Sequence, residues 1–330
     1  MKRACRIFLI CIFLTSQVRG QGQVQAQGQV QIQPSFTVVP LGVKGGLDES
    51  NLSAYMLAPA GSDNYICLDA GTLYAGIRKA VDAGAFRGLS ASEVLRRSIK
   101  AYFISHAHLD HVAGLIINSP EDTAKTIYGL PACLQVLKEK YFTWESWANF
   151  ADAGEKPLLK KYHYEEMVAG EERAIDHTDL AVKAFPLSHG EPYQSTAYLV
   201  RKGEASILYL GDTGADTIEH AGRLRLLWQE VAPLARSGKL KAIFIEVSFP
   251  DEQPDKLLFG HLTPRLLMGE MGILGQLAGH DALRGLPVVV THMKPSGSGD
   301  PEARIRQELQ AQNPLQLRLV FPQQGVRLNF

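Results

Sequence analysis

The amino-acid sequence predicts a protein of the α/β class, in which helices cover the faces of a sheet. Short apolar runs such as 101–104, 241–247 and 286–290 indicate buried strands. Longer amphipathic stretches between such runs, for example 217–236, indicate helices. The chain has 330 residues, 45% of them hydrophobic, and can therefore bury a large core.

The first residues are not part of this predicted domain. Three basic residues precede the apolar run 7–14 and small polar residues follow it, which is the order found in a secretory signal peptide. The run is too short to span a bilayer, so we expect no membrane anchor in the mature chain. We expect a signal peptide over residues 1–26 and an exported, periplasmic protein. Cleavage after Gly20, or a lipoprotein formed at Cys11, are the alternatives.

Residues 27–35 form a glutamine-rich leader with too little apolar mass to fold, and we expect it to be disordered. The predicted domain covers residues 36–330. Removal of residues 1–26 leaves 30 basic and 34 acidic residues, a net charge of −4, which argues against a nucleic-acid-binding surface. The two remaining cysteines, Cys67 and Cys133, lie in apolar surroundings and are interpreted as buried thiols, although export would permit a disulfide.

The first half of the domain alternates between strand and helix. Thr72 is a predicted N-cap of a helix that follows Asp69, and proline begins a second helix over 131–140. Residues 141–180 break this rhythm as an aromatic-rich insertion, whose rings pack in the core or form a pocket wall that stacks on a base. The strands predicted in this half are 36–39, 52–57, 65–68, 101–104 and 126–128.

The second half continues the pattern. A helix is predicted over 217–236, another begins with Thr263 as its cap and Pro264 at its first position, and a last one spans 301–310. Short strands complete the chain. The longer strands predicted in this half are 182–185, 195–200, 205–210, 241–247 and 286–290.

The segment SHAHLDHVAGL at 105–115 carries the strongest functional signal. Four possible metal ligands fall within six residues, between a strand and a helix. Side chains two apart in an extended chain share a face, so His106 and His108 can hold one ion together. Asp110 and His111 lie past the turn and point towards a second ion. Imidazole and carboxylate ligands suit zinc or another borderline divalent metal.

Other predicted strands also end in residues that can bind a metal. His189, Asp212, Glu246 and His292 each follow or close such a strand. Because strand ends gather at one edge of the sheet in layered α/β folds, these residues can converge on the histidine-rich segment.

The motif HxHxDH followed by a histidine, an aspartate and a late histidine resembles the metallo-β-lactamase superfamily. The resemblance implies a four-layer αββα sandwich with two metal ions. It implies that His106, His108 and His189 hold one ion and that Asp212 bridges the two. The ligands implied for the other ion are Asp110, His111 and His292.

A narrower resemblance covers residues from about 36 to the C-terminus. The stretch HAHLDHVAGLIINSP at 106–120 is similar to the signature of class II cyclic-nucleotide phosphodiesterases. Shorter supporting pieces occur at 68–72, 187–190 and 211–213, and others at 246–249, 260–263 and 291–294.

This second resemblance implies hydrolysis of 3′,5′-cyclic AMP, and of cyclic GMP as a further substrate, to nucleoside 5′-monophosphates by a two-metal-activated hydroxide. Zinc is the expected metal, with manganese or iron as alternatives. Asp110 and His261 are the predicted catalytic residues, because either could deliver a proton to the leaving oxygen. Asp69 and Glu246 are predicted to orient ligands by hydrogen bonds. His163, His177, His220 and His280 are interpreted as surface or core residues.

Competing functions remain open from the sequence alone. Another exported binuclear hydrolase of the same fold, such as a lactamase or a thioester hydrolase, would use a similar metal site. A nuclease is disfavoured by export and by the absence of a basic arm. A non-catalytic binding protein would be expected to have lost ligands. The expected partner is a small cyclic nucleotide, and the oligomeric state is open, with a homodimer as one option.

Overall fold

A computed structural model describes residues 33–296 and 299–330, which contain two mixed β-sheets. The predicted signal peptide and residues 27–32 of the predicted leader lie outside the described residues. The strands are β1 Phe36–Gly42, β2 Ala54–Pro59, β3 Tyr65–Leu68, β4 Ile99–Phe103, β5 Lys125–Gly129, β6 Tyr162–Glu166, β7 Glu172–Ile175, β8 Leu180–Ser188, β9 Gln194–Lys202, β10 Ala205–Leu210, β11 Leu240–Glu246, β12 Pro287–Thr291, β13 Arg318–Val320 and β14 Leu328–Asn329.

Each sheet has seven strands within the described residues. The first sheet has the order β14-β1-β2-β3-β4-β5-β6, and the second has the order β13-β12-β11-β10-β9-β8-β7. The α-helices are α1 Tyr74–Asp82, α2 Ala91–Glu93, α3 Leu109–Asn118, α4 Pro131–Val136, α5 Asp216–Glu219, α6 Arg223–Arg236, α7 Pro264–Ala278 and α8 Pro301–Ala311. Turns of π-helix cover Val94–Ser98 and Leu137–Tyr141, and turns of 3₁₀-helix cover Asp255–Leu257 and His280–Leu283.

Three apolar clusters divide the protein into layers. The cluster between the two sheets includes Phe103 of the first sheet and Tyr198 of the second, whose ring centroids lie 5.3 Å apart. A second cluster packs the first sheet against α1, α3 and α4, and includes Leu115. A third packs the second sheet against α6 and α7 around the fully buried Trp228. This arrangement is the predicted α/β sandwich of four layers, αββα.

The strand directions explain where polar residues gather. In the first sheet β3, β4 and β5 are parallel neighbours, and in the second sheet β10, β11 and β12 are parallel neighbours. β8 pairs antiparallel with β9, and β9 pairs antiparallel with β10, so β8 runs in the same direction as β10. The carboxyl ends of these strands therefore share one edge, where layered α/β folds place their sites.

Of the two predicted caps, Thr72 is wrong, and Thr263 is right in position but makes no capping hydrogen bond. The helix after Asp69 begins at Tyr74, and the Thr72 hydroxyl instead bonds to the loop before β2, accepting from Leu52 N at 2.9 Å. Thr263 does precede Pro264 at the start of α7, but its buried hydroxyl makes no hydrogen bond within the described residues. For Thr72, contacts with the loop before β2 thus replace the capping contact.

The helix predicted over 217–236 is in fact two helices, α5 and α6. His220 and Gly222 adopt left-handed backbone conformations, with φ of 56° and 64°, which end one helix and start the next. Asp216 accepts hydrogen bonds from Leu224 N and Arg225 N, so its carboxylate satisfies the first free amides of α6.

The aromatic insertion also differs in part from the expectation. Residues 162–166 and 172–175 are edge strands, one in each sheet, and only the stretch before them is irregular. Phe142 is buried and Trp147 packs against the same cluster, with its indole donating to Ser119 Oγ at 3.0 Å. These aromatic residues thus take the core role, the first of the two predicted.

Cys67 and Cys133 are buried free thiols, as predicted. No helix within residues 33–296 and 299–330 is both long and apolar enough to cross a membrane.

Candidate metal centre

The histidine-rich segment lies between β4 and α3, as predicted. His106 and His108 are in the loop, and the helix begins at Leu109, so Asp110 and His111 occupy its first turn. Because the backbone changes from an extended loop to a helix, the side chains of His106 and His108 point in a different direction from those of Asp110 and His111.

The other predicted residues come from the second sheet. His189 follows the end of β8, Asp212 follows β10, Glu246 is the last residue of β11, and His292 directly follows β12. All of them are buried. The shared edge of the sheets therefore brings them to the histidine-rich segment.

His106, His108 and His189, here called the first triad, form one group that could hold a metal ion. His108 Nδ1 lies 3.1 Å from His106 Nε2 and 3.3 Å from His189 Nε2. Three imidazole nitrogens thus face one another, with His108 the exposed member.

Asp110, His111 and His292, here called the second triad, form another such group. Asp110 Oδ2 lies 3.1 Å from His292 Nε2 and accepts a hydrogen bond from Gly46 N at 3.0 Å. The triad therefore offers one carboxylate oxygen and two imidazole nitrogens.

Asp212 lies between the two triads. Its Oδ2 is 3.3 Å from His111 Nε2 and 3.2 Å from His292 Nε2 on one side. On the other side it is 3.8 Å from both His106 Nε2 and His189 Nε2. One oxygen of this buried carboxylate can therefore serve both triads.

Asp69 orients the two buried imidazoles that come from the first sheet. His111 Nδ1 donates directly to Asp69 Oδ2 at 2.8 Å. Ser105 Oγ also donates to Asp69 Oδ2 at 2.8 Å and accepts from His106 Nδ1 at 3.0 Å. Tyr209 OH adds a hydrogen bond of 2.6 Å. These bonds leave Nε2 of each histidine free to bind a cation.

Glu246 plays the corresponding role in the second sheet. His261 Nδ1 donates to Glu246 Oε1 at 2.7 Å. Ser248 Oγ donates to Glu246 Oε2 at 2.6 Å and accepts from His292 Nδ1 at 3.0 Å. Glu246 thus orients a triad histidine through a serine, as predicted for an outer partner of the site.

The two remaining triad histidines are held without a carboxylate. His189 Nδ1 donates to the Gly260 carbonyl at 2.8 Å. Within the described residues, the only groups at hydrogen-bond distance from the His108 ring are the imidazoles of His106 and His189. Its ring is stacked on Tyr193, with centroids 4.4 Å apart and planes 9° apart. The Tyr193 ring therefore fixes the orientation of His108.

The first triad favours neutral imidazoles. Burial lowers the pKa of His106 well below its ordinary value and that of His108 to about 4, and the neighbouring imidazoles act in the same direction. Burial also lowers the pKa of His189. A neutral imidazole carries the lone pair that a metal ion needs.

The second triad is electrostatically different. Burial acts to lower the pKa of His111, but the charges of Asp212 and Asp69 outweigh it and raise that pKa well above its ordinary value. Burial acts to raise the pKa of Asp110, but the hydrogen bond to His292 and the charge of His111 outweigh it and hold that pKa low. Without a cation, this side of the site is a buried ion-pair network.

The residues fit a pair of divalent cations. His111 Nε2 is buried and makes no hydrogen bond of acceptable geometry within the described residues, although Asp212 Oδ2 lies 3.3 Å away. A cation held by both atoms would give this buried nitrogen the partner that it needs. A side chain at Gly45 would clash with the His292 ring, with its Cβ 2.2 Å from Cε1, so this glycine allows the loop to approach the triad. Nitrogen and carboxylate ligands in this number suit zinc and similar metals.

His261 lies beside both triads. Its ring centroid is 4.8 Å from that of His189 and 5.4 Å from that of His292. Its Nε2 lies 2.8 Å from Lys294 Nζ. With Nδ1 donating to Glu246, the unprotonated Nε2 can accept a hydrogen bond from the lysine, so this edge of the ring faces Lys294.

The structure brings together all seven predicted ligands and His261. His163, His177, His220 and His280 lie elsewhere, and all four are exposed. The sequence interpretation gave no role to Tyr193 or to the two serines that connect carboxylates to histidines. Lys294 stood in a motif piece without a role, and its basic side chain two residues after His292 was the available signal.

Comparisons with known proteins agree with this geometry. Residues 35–325 match the family model described as class-II cAMP phosphodiesterases. A 3′,5′-cyclic-nucleotide phosphodiesterase of Aliivibrio fischeri is 41% identical over 308 residues, covering 90% of this chain and 93% of that protein.

Solved structures support the same grouping. The unliganded crystal structure of yeast PDE1 superposes with a TM-score of 0.81 at 25% identity, covering 90% of this chain and all of that one. A metallo-β-lactamase fold protein of Bacillus subtilis has a TM-score of 0.59 at 17% identity, covering 89% of this chain and 99% of that chain, which shows the fold. The chain therefore has the metallo-β-lactamase fold and belongs to the family of class-II cAMP phosphodiesterases.

Proposed function

We propose that this protein hydrolyses 3′,5′-cyclic AMP, and cyclic GMP as a second substrate, to nucleoside 5′-monophosphates at a centre of two divalent metal ions. The observation that carries the proposal is the pair of triads that share Asp212. Family membership and the activity named for the Aliivibrio fischeri relative support the choice of substrate.

The first triad would hold one ion, the second triad would hold the other, and Asp212 would bridge them. When bound, two divalent cations act as Lewis acids on the phosphate and make water acidic enough to attack it near neutral pH. Zinc is the proposed metal because of the imidazole-rich ligands, with manganese or iron as alternatives.

The carboxylates set the charge of the site. Asp110 and Asp212 offset part of the charge of two divalent ions, so the centre remains cationic towards an anionic phosphodiester. The low pKa of Asp110 favours a carboxylate that binds a cation over one that carries a proton. Among the two proposed catalytic residues, Asp110 therefore acts as a ligand and His261 is the better proton carrier.

The proposed reaction breaks the bond between phosphorus and the 3′ oxygen. Water supplies the new oxygen on phosphorus, and the departing 3′ oxygen takes up a proton. Burial acts to lower the pKa of His261, but the charge of Glu246 outweighs it and raises that pKa. When Nε2 does not accept a hydrogen bond from Lys294, the ring can therefore hold a second proton near neutral pH. His261 can therefore hold the proton that the 3′ oxygen receives.

Metal removal and product analysis test this proposal. The purified chain beginning at residue 35 is treated with a chelator, reloaded with zinc or manganese, and incubated with each cyclic nucleotide. We expect chelation to remove activity, metal to restore it, and the 5′-monophosphate to be the product. Hydrolysis of a β-lactam or a thioester in place of the cyclic nucleotides would contradict the proposal.

A ligand variant separates the metal centre from a contaminating enzyme. His108→Ala should abolish turnover and leave the fold intact, because this imidazole is exposed and packs only on its neighbours. His177→Ala, at an exposed histidine away from the triads, is the matched control and should keep full activity. Unchanged turnover in His108→Ala would refute the ligand assignment.

We also propose export to the periplasm, which rests on the basic and apolar residues of the N-terminal segment. Fractionation of cells that express the whole chain tests it. We expect a periplasmic protein whose first residue is Gln27. A cytoplasmic protein that retains Met1 would contradict the proposal.

A further inference from the structure

A cleft of about 620 Å³ lies beside His261, and its walls include Leu47, Phe249 and Pro295. We propose that this cleft binds the nucleoside part of the substrate, with Lys294 contacting the phosphate and Phe249 stacking on the base. This inference rests on the proposed function and names the part of the same site that recognises the nucleotide. The volume is in the usual range for small-molecule sites.

Residues that line the cleft adjoin the metal centre at two points. On one side the backbone amide of Gly46 donates to Asp110 of the second triad, and the next residue, Leu47, lines the cleft. On the other side the ring of Phe249 lies 5.8 Å from that of His261. A substrate with its phosphate at the triads would therefore extend its nucleoside into this space.

Lys294 is placed where the phosphate would enter the cleft. Its Nζ lies 2.8 Å from His261 Nε2 and 5.4 Å from the centroid of the Phe249 ring. Its backbone amide donates to the Ser248 carbonyl at 3.2 Å, which fixes the start of the side chain. An ammonium group has three hydrogens that can be donated to a phosphate oxygen, and a lysine that turns to the phosphate also frees His261 Nε2 to hold a proton. The contact would be a charge-assisted hydrogen bond.

Phe249 offers the base a flat apolar surface. The ring is half-buried, while the side chain of Leu47 across the cleft is 72% exposed. Exposed apolar side chains of this kind gain stabilisation when a ligand covers them. An aromatic ring that stacks on a base accepts either purine, which agrees with the two proposed substrates.

The charged residues of the cleft wall offset one another. Arg304 and Glu252 both line it and form an ion pair with each other. The other two charged residues of the wall, Lys294 and Asp300, are also of opposite sign, so the wall has no net charge. A neutral base fits there better than a further anionic group.

The aromatic insertion does not compete for this role. Phe142 is buried in the core, and Trp144 donates its indole N–H to the Pro157 carbonyl at 2.9 Å. The contact of this segment with the metal centre is indirect, through a hydrogen bond from Tyr141 to the Ala107 carbonyl. Phe249 touches His261 directly and is the better-placed ring.

Two substitutions with matched controls test the cleft. Phe249→Leu removes the ring, and Phe321→Leu is its control, because Phe321 is also half-buried and lies under a cation, Arg306. Lys294→Met removes the charge, and Lys241→Met is its control, at a lysine whose ammonium group donates to the Gly238 carbonyl.

Binding of 5′-AMP and of ribose 5-phosphate to the zinc-loaded protein is measured by calorimetry. We expect Phe249→Leu to lower the affinity for 5′-AMP about fivefold or more. The affinity for ribose 5-phosphate should not change, since only 5′-AMP has a base. Lys294→Met should weaken both ligands about tenfold or more. Both controls should bind like the unmodified protein, and equal melting temperatures would show that every variant is folded.

The result that overturns the assignment is unchanged 5′-AMP affinity in both cleft variants. A weakening of 5′-AMP and ribose 5-phosphate by the same factor in Phe249→Leu would overturn the stacking role. Failure of the proposed function is a separate result, namely an unmodified protein that binds 5′-AMP but turns over no cyclic nucleotide.

Discussion

The two sheets contribute the same device to the metal centre, a buried carboxylate that holds two imidazoles. In the first sheet Asp69 binds His111 directly and reaches His106 through Ser105. In the second sheet Glu246 binds one imidazole directly and reaches another through a serine in the same way. Each sheet thus supplies a rigid pair of oriented rings.

The difference between the two devices lies in the directly bound imidazole. His111 Nε2 faces Asp212 at 3.3 Å, whereas His261 Nε2 faces Lys294 at 2.8 Å. Both rings donate Nδ1 to a carboxylate, yet one is a proposed metal ligand and the other faces the proposed nucleoside cleft. His261 also lies near Asp212, with its Nδ1 3.8 Å from Oδ2, so the neighbour of Nε2 is what distinguishes the two rings.

The largest expected effect comes from the residue at which the two sheets meet. Asp212→Asn removes the negative charge that lies between the two triads. Loss of a residue that only orients a metal ligand reduces metal affinity or activity about 10- to 100-fold. For a proposed ligand itself we therefore expect more than a hundredfold loss of turnover. We also expect at most one tightly bound ion per chain by elemental analysis. Asp281→Asn, at a side chain that is 98% exposed, is the control. Two retained ions and normal turnover in Asp212→Asn would show that the triads are independent of this carboxylate.

Substitution of Ser105 or Ser248 tests whether each sheet supports its own metal ion. Ser105→Ala should lower the zinc affinity of the first triad about 10- to 100-fold. Ser248→Ala should lower the zinc affinity of the second triad by a similar factor. Calorimetric titration with zinc should resolve the two sites. Ser237→Ala, at an exposed serine that bonds only to its own helix end, should change neither. If both variants weakened the same ion, the serines would not serve separate triads.

The pKa shifts predict a different pH dependence for the two ions. The raised pKa of His111 means that a cation must displace a proton there, so affinity at the second triad should fall about tenfold per pH unit below that pKa and level off above it. The first triad should stay unaffected down to roughly pH 5, because the pKa of His108 is about 4. Zinc titrations at about pH 6 and pH 8 test this. If zinc affinity at the first triad fell more steeply between pH 8 and pH 6 than affinity at the second, the predicted direction of the pH dependence would be wrong.

The smallest effect concerns His108, one of the two triad imidazoles that no carboxylate orients. Tyr193→Leu removes the ring stacked on His108 and should weaken the first ion about fivefold, since an aromatic pair contributes roughly 1 kcal/mol. Tyr193→Phe keeps the ring and should restore the affinity. Equal loss in both variants would assign the effect to the hydroxyl and not to the stack.

Much of the fold and of the ligand set could be predicted from the sequence, because both follow from local patterns. Apolar runs such as 101–104 predict buried strands. The three histidines and one aspartate of 106–111 predict a metal site, because so many polar groups on one turn need a shared binding partner. The rule that strand ends share an edge then places His189 and His292 beside the motif, as the structure has them.

The remaining features depend on contacts between distant parts of the chain. Tyr193 follows a turn and meets His108 only after β8 and β9 have paired, and neither residue signals the other in sequence. The hydroxyl of Thr72 bonds to a loop about twenty residues earlier, which no capping rule anticipates. The cleft formed by Leu47, Phe249 and Lys294 joins segments from both ends of the domain.

The proposed pair of ions at the shared edge of the two sheets is tested most directly by anomalous diffraction from crystals of the zinc-loaded protein. We expect two zinc peaks, one bounded by each triad, with Asp212 contacting both. A single peak, or peaks that lie away from His106, His111 and His292, would contradict the account.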